Sequence, residues 1–268
     1  MLETSLTIYH NLKTIVSRIC QTLKINERTH PKGRKPALTN SEALACVILW
    51  RKQNIGSKKS FYEILEPPLS YNRFVAALNE TTRRLARIIS ELLRYFSARS
   101  HVIKFTDATD IPVCLNKNGK RHKTMYGLAA WSKTGKGPFY GLKLHLSGDA
   151  EGQPLAIRLT PGNSDDRAVF KEMNKRLKGL FVADAGYVSK ELERDFFIEA
   201  ERVLLTATRS NMKKLATPFQ IALLNLRMRV EIHFRVLKVC YGLVTSLPRS
   251  IDGYLTHYLA AIAAHLLA

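Results

Sequence analysis

Apolar residues recur at near-helical spacing from Leu2 to Leu23. The same period returns in Ala43–Trp50, from Ser60 onward, in Ser70–Leu78 and in Thr81–Phe96. Thr39 stands three residues before Glu42, the spacing of a capping box. The basic link 26–36, with Pro31, Gly33 and Pro36, and the pair Pro67-Pro68 break the pattern. Residues 1–97 therefore read as a helical region.

A different period begins near Arg99. Val102–Asp107 alternates like a strand, Ile111–Cys114 extends it, and Phe139–Leu146 and Leu155–Thr160 follow as second and third strands. With a turn at Gly148–Gly152, they predict an antiparallel meander. The Gly- and Lys-rich stretch Leu115–Pro138 reads as a solvated, mobile connection suited to lying along phosphates. Ser164 is a plausible helix cap, with Asp165 and Asp166 in the first turn of a helix to about Lys178. The apolar run Leu180–Ala183 is a buried strand that ends in Asp184. Ser189 then caps a helix over roughly 190–199. Arg202–Thr208 is a fifth strand, followed by the basic loop Arg209–Lys214, a long helix from Pro218 to Cys240 and an apolar helix, Tyr254–Leu267. Three strands, helix, strand, helix, strand, helix is the order of an α/β fold of ribonuclease H-like type. A mixed five-stranded sheet with flanking helices, residues 98–268, is expected behind the helical region.

Charge changes the picture more than composition does. Lys and Arg number 42 against 22 Asp and Glu, a net charge of +20, in a chain of 268 residues. The excess is spread over both regions, the footprint of a protein that tracks a polyanion. It makes the helical region 1–97 a DNA-binding candidate, with helix-turn-helix the type a small basic helical module suggests, although arginines along a helix are also an ordinary solvated face. No apolar run is long enough to cross a bilayer, and the amino terminus lacks the layout of a signal peptide, so a cytoplasmic protein is expected. Four scattered cysteines have neither zinc-site nor disulfide spacing.

In so basic a chain, acids inside strands and on Arg-rich helices need a reason. Asp107 is embedded in the first strand, and Asp184 ends the fourth, where open α/β sheets place their chemistry. A turn-capping role is the bland alternative for Asp184. Glu231 lies on a helical stripe with Arg227, Phe234 and Lys238, where an ordinary salt-bridge ladder is the alternative. Carboxylates converging from separate elements suit two-metal phosphodiester chemistry, with ions roughly 3.5–4 Å apart.

Several motifs carry a resemblance. They are Asp107-Ala-Thr-Asp-Ile-Pro-Val-Cys, Tyr140-Gly-Leu-Lys-Leu-His-Leu, Leu159-Thr-Pro-Gly-Asn-Ser-Asp-Asp, Ala183-Asp-Ala-Gly-Tyr and Thr208-Arg-Ser-Asn-Met-Lys. With Arg227, Glu231 and Lys238 in the spacing Tyr-x2-Arg-x3-Glu-x6-Lys, the chain resembles DDE transposases of bacterial insertion sequences. The nearest resemblance is to the family numbered nine-eight-two, over about residues 38–250. It departs from that pattern at Leu224, where the tyrosine would stand.

The resemblance implies a transposase that cleaves element ends and joins them to target DNA. Asp107, Asp184 and Glu231 would be catalytic and hold two Mg²⁺ or Mn²⁺. Arg227 and Lys238 would contact phosphates near the scissile bond, and Lys143, Lys120, Arg121 and Lys123 are further DNA-binding candidates. The expected partner is double-stranded DNA, bound by a homodimer in the synaptic complex, with no membrane. The alternatives are a metal-dependent nuclease of the same fold without strand transfer, and a domesticated, non-catalytic DNA-binding protein. Asp110 is the alternative first ligand. A packed or DNA-facing role is expected for His145, and Trp131 is either a DNA wedge or a packed aromatic.

Overall fold

The computed structural model describes residues 2–28, 36–200, 202–207 and 217–268. Part of the link 26–36, the basic loop Arg209–Lys214 and the motif beginning at Thr208 lie outside the described residues. The chain divides into two compact units: residues Met1–Leu92 with Val236–Ala268, and residues Leu93–Arg235.

The first unit is helical, with α1 (Leu2–Thr22), α2 (Asn40–Lys52), α3 (Lys58–Leu65), α4 (Tyr71–Asn79) and the first part of α5 (Thr82–Ser97). Thr39 and Glu42 form the expected capping box, each satisfying a backbone N–H of the other's residue. The last helix, α10 (Ile251–Leu266), belongs to this unit and not to the sheet, unlike the boundary expected at residue 98. Its apolar face explains why. Tyr254, Tyr258 and Ala260–Ala264 are buried, Trp50 meets His257 edge-on at 5.2 Å, and the hydroxyls of Thr82 and Thr256 are 2.6 Å apart.

The second unit is built on a six-stranded sheet: β1 (Ile103–Pro112), β2 (Ala130–Thr134), β3 (Gly137–Asp149), β4 (Pro154–Pro161), β5 (Leu180–Ala183) and β6 (Val203–Thr206). β3 runs antiparallel to both β1 and β4, whereas β1, β5 and β6 are parallel to one another. The path β4-β3-β1-β5-β6, antiparallel on one side and parallel on the other, is the ribonuclease H-like arrangement. Helices α6 (Asp166–Met173), α7 (Lys190–Ala200), α8 (Pro218–Leu226) and α9 (Met228–Arg235) accompany it. Phe170, Phe181 and Phe196 meet at ring separations of 4.9–5.8 Å, among Leu155, Leu177, Tyr187 and Leu204.

Two expectations are corrected. The stretch 115–138 is not an unstructured connection. It holds a 3₁₀ turn, Asn116–Arg121, and strand β2, which pairs with the first half of β3 and makes the sixth strand. Trp131 packs against Tyr140 (5.5 Å) and over Gly119, where a Cβ would come within 2.4 Å of the indole. Asn116 donates to the Pro138 carbonyl at 2.7 Å. The long helix 218–240 is also broken. It closes at Arg227, whose N–H turns back to Leu224 O, resumes as α9, and passes into a π-helical segment, Val236–Cys240. Among the described residues, no helix is long and apolar enough to cross a membrane.

Candidate active site

The parallel pairing of β1 and β5 ends at Thr106 opposite Ala183. Asp107, midway along β1, and Asp184, just past the end of β5, are each the next residue, so two carboxylates stand side by side where the parallel pairing stops. Adjacent strands are about 4.8 Å apart, close enough for the two charges to interact strongly. The two environments differ. Asp184 is exposed and opens a short 3₁₀ turn, Ala185–Tyr187, while Asp107 is largely enclosed.

The Asp107 carboxyl is pushed up to about 6, chiefly by burial. The Ala108 N–H, 2.8 Å from Oδ1, and Arg227 oppose that rise, and the charges of Asp184 and Glu231 add to it. Both acids expected to act with Asp107 therefore lie within its electrostatic reach.

Glu231 reaches the site through α9. Val230, His233 and Phe234 are buried, the i, i+3, i+4 stripe that a helix packs on a sheet, and α9 contacts β1 and β3. Glu231 stands next to that stripe, half-exposed. Arg227, at the break between α8 and α9, spans the acids. Its Nη1 donates to Asp107 Oδ2 at 2.9 Å and its Nη2 to Glu231 Oε1 at 3.0 Å. Besides the i, i+4 pair with Glu231, the guanidinium thus reaches across to the sheet at Asp107.

Asp110 lies three residues along β1 from Asp107, hence on the opposite face of the sheet. It pairs across the ladder with Lys143. Lys143 is itself held by Asp166 Oδ1 at 2.8 Å and the Ser164 carbonyl at 3.3 Å, with little exposure. Asp165, and not Ser164, caps α6 by accepting from Arg167 N–H. His145 is packed: its Nε2 lies 2.9 Å from Thr160 Oγ1, and burial pushes its pKa down to about 4. Lys120, Arg121 and Lys123 are exposed on the 3₁₀ turn and the loop after it. Lys238 lies in the π-helical segment, which belongs to the helical unit.

Sequence reasoning missed Tyr187. Its ring is buried against Phe170, and its hydroxyl has no hydrogen-bond partner among the described residues. Burial raises its pKa, as do the charges of Asp107, Asp166 and Asp184, which identifies its neighbours. The sequence signal was its place as the last residue of the motif Ala183-Asp-Ala-Gly-Tyr, three residues after Asp184.

Asp107 and Asp184 offer hard oxygen donors of the kind divalent Mg or Mn takes. Among the described residues no three His, Cys, Asp or Glu side chains stand close enough to hold an ion together. The fit is thus a two-carboxylate site, with the third acid bound to Arg227.

The family described as "Transposase DDE domain" matches residues 97–250, more than half of the chain. Among solved structures, the protein of a Mos1 strand transfer complex is 14% identical, covering 92% of this chain and 82% of that one at a TM-score of 0.26. The protein of a pre-cleavage Mos1 transpososome is 16% identical, covering 92% and 83% at a TM-score of 0.23. No residue correspondence follows at those scores. No curated protein matches the sequence.

Proposed function

Since the chain belongs to the family of transposase DDE domains, we propose that it cleaves the ends of a DNA element and joins them to target DNA by metal-dependent phosphodiester chemistry. The observation that carries this reading is the placement of Asp107 and Asp184 one residue beyond the last paired positions of β1 and β5. A narrower kinship, with the insertion-sequence family numbered nine-eight-two, rests on the quoted motifs.

In this proposal Asp107 and Asp184 would hold two Mg²⁺ or Mn²⁺, and Glu231, released from Arg227, would be the third carboxylate ligand. Bound divalent ions supply Lewis-acid stabilisation of the attacking and leaving oxygens of an in-line displacement. Arg227 then has two roles in sequence. Without DNA it neutralises Asp107 and Glu231, and with DNA its guanidinium turns to a phosphate, for which its planar fork is suited. Tyr187 contributes an enclosed hydroxyl donor beside the acids. The exposed Lys120, Arg121 and Lys123, with Lys238, provide phosphate contacts that fix position without reading sequence. The helical unit is the proposed site of element-end recognition, and a homodimer would synapse two ends.

The test is strand transfer by the purified protein with Mg²⁺, a labelled element end and a supercoiled target plasmid. Labelled plasmid is the expected product. Release of ends that never enter the plasmid would reduce the activity to that of a nuclease. DNA binding with neither product would leave a non-catalytic binder.

A further inference from the structure

The helical unit contains a cavity of about 450 Å³ that the proposed chemistry does not use. This volume is within the range of about 300–1,000 Å³ typical of small-molecule pockets. Trp50, Tyr71 and Leu247 give it apolar walls, Lys58, Lys59 and Arg249 line it with cations, and no carboxylate is among its lining residues.

The charges around Trp50 are poorly compensated. The Arg51 guanidinium stacks 4.2 Å from the indole centroid and is almost wholly buried. It donates to the Ile55 carbonyl at 2.6 Å and lies 3.5 Å from the His257 ring, while its Nε has no partner among the described residues. Lys58 Nζ lies 5.5 Å from the same indole and donates to Asn79 Oδ1, a neutral acceptor. Burial pushes Lys58 down to about 8, with Arg51 adding to the effect, and no acid opposes either. A buried guanidinium and a partly buried ammonium without a counter-charge are costly unless an anion joins them.

Two further features face the same space. The eight-residue helix α3 starts at Lys58 behind Ser57, and the sixteen-residue α10 starts at Ile251 behind Ser250, with Ser57 and Ser250 both on the cavity wall. Ser57 and Ser250 each accept one first-turn N–H, from Ser60 and Gly253, and the other amino-terminal N–H groups and the positive end of each helix are available to an anion. Independently, the indole Nε1–H of Trp50, a lining residue only 2% exposed, has no acceptor among the described residues. An inorganic anion would leave the apolar walls unfilled, and a purely apolar molecule would leave the cations unmatched.

We propose that this cavity binds a nucleoside phosphate. Lys58, Arg249 and the first turns of α3 and α10 hold the phosphate, and the base lies against Tyr71, Leu247 and the Trp50 ring. The phosphate-bearing base comes either from a free nucleotide or from a phosphorylated DNA strand end. The inference stands apart from the metal chemistry, since no carboxylate of the candidate active site contributes to it.

Calorimetry on the full chain in divalent-free buffer tests it, with dTMP, dAMP, inorganic phosphate and a short oligonucleotide with or without a 5′-phosphate as probes. Saturable binding of dTMP, dAMP or the 5′-phosphorylated oligonucleotide is expected, with inorganic phosphate weaker. Lys58→Gln and Arg249→Gln should each weaken it about tenfold, the loss of one charge-assisted hydrogen bond, while Lys58→Arg retains it. Arg249 is exposed, so its variant tests the site even if Lys58→Gln fails to fold. Binding of the mononucleotides identifies a free nucleotide as the source, and binding of the phosphorylated oligonucleotide alone identifies a strand end. Three results would overturn the proposal: no saturable binding up to about 1 mM, unchanged affinity in Arg249→Gln, or inorganic phosphate binding as tightly as dTMP.

Discussion

Arg227 Nη1 lies 2.9 Å from Asp107 Oδ2, and the same guanidinium holds Glu231 Oε1 at 3.0 Å. One cation thus occupies an oxygen on each of two proposed metal ligands. Arg227→Gln should therefore strengthen Mn²⁺ binding to the DNA-free protein about two- to fivefold, the worth of a partly exposed ion pair. It should also lower DNA cleavage. Electron paramagnetic resonance of free Mn²⁺ reads the first effect, and weaker Mn²⁺ binding in the variant would refute competition by Arg227.

Asp184 is exposed and makes no side-chain cap bond. Asp184→Asn should leave the fold and DNA affinity intact while Mg²⁺-dependent cleavage drops by roughly a hundredfold or more, as for loss of a group that stabilises transition-state charge. Cleavage at the wild-type rate would remove Asp184 from the metal site.

Lys120, Arg121 and Lys123 are exposed on one short stretch. If they lie along phosphates, replacing all three with Gln should weaken DNA binding equally across sequences. The slope of log affinity against log salt should become shallower by about 2–3, since each phosphate contact contributes about 0.9. An unchanged slope would assign them to solvent.

His145 and His257 are buried neutral, with pKa values pushed down to about 4 and about 3, mainly by burial. In the unfolded chain both accept a proton near pH 6.5, so their contribution is present above that pH and is lost as pH falls from about 6.5 toward 4. Each should account for about 2 kcal/mol of the stability lost between pH 7 and pH 5. Urea unfolding at the two pH values measures this, and His145→Gln should remove its share of the dependence while keeping a partner for Thr160.

Gly141 is paired with Pro112 on one side and Ala130 on the other. A Cβ there would stand 2.1 Å from the Ile111 carbonyl oxygen, which is backbone and cannot swing aside. Gly141→Ala should cost about 1–3 kcal/mol through overpacking. An unchanged urea midpoint would show that the strands separate more easily than their register suggests.

Period-two and period-3.6 patterns made most elements of the sheet unit legible, because one face of each is buried and the period records it. Asp184 was readable because an apolar run ends in it, and the first-strand aspartate because it interrupts alternation. What escaped was long-range. β2 is stabilised by Trp131 over Gly119 and by pairing with β3, partners that local composition does not announce in a Lys-rich stretch. The break at Arg227 leaves no Pro or Gly signal, so a continuous helix was the natural reading. The bridge from Arg227 to Asp107 joins residues 120 positions apart, and Tyr187 matters only because the fold brings Asp107 and Asp166 to it.

The helical unit takes its last helix from the end of the chain: α10 fills its core, while residues 93–235 form the sheet unit in between. The sheet unit is therefore an insertion, and its segments emerge from the ribosome before the helical unit has its final piece. Chains generally fold amino-terminal first during synthesis, but here the core of the helical unit is complete only with residues 251–266. A polypeptide cut short before α10 would carry the carboxylates without a completed helical partner.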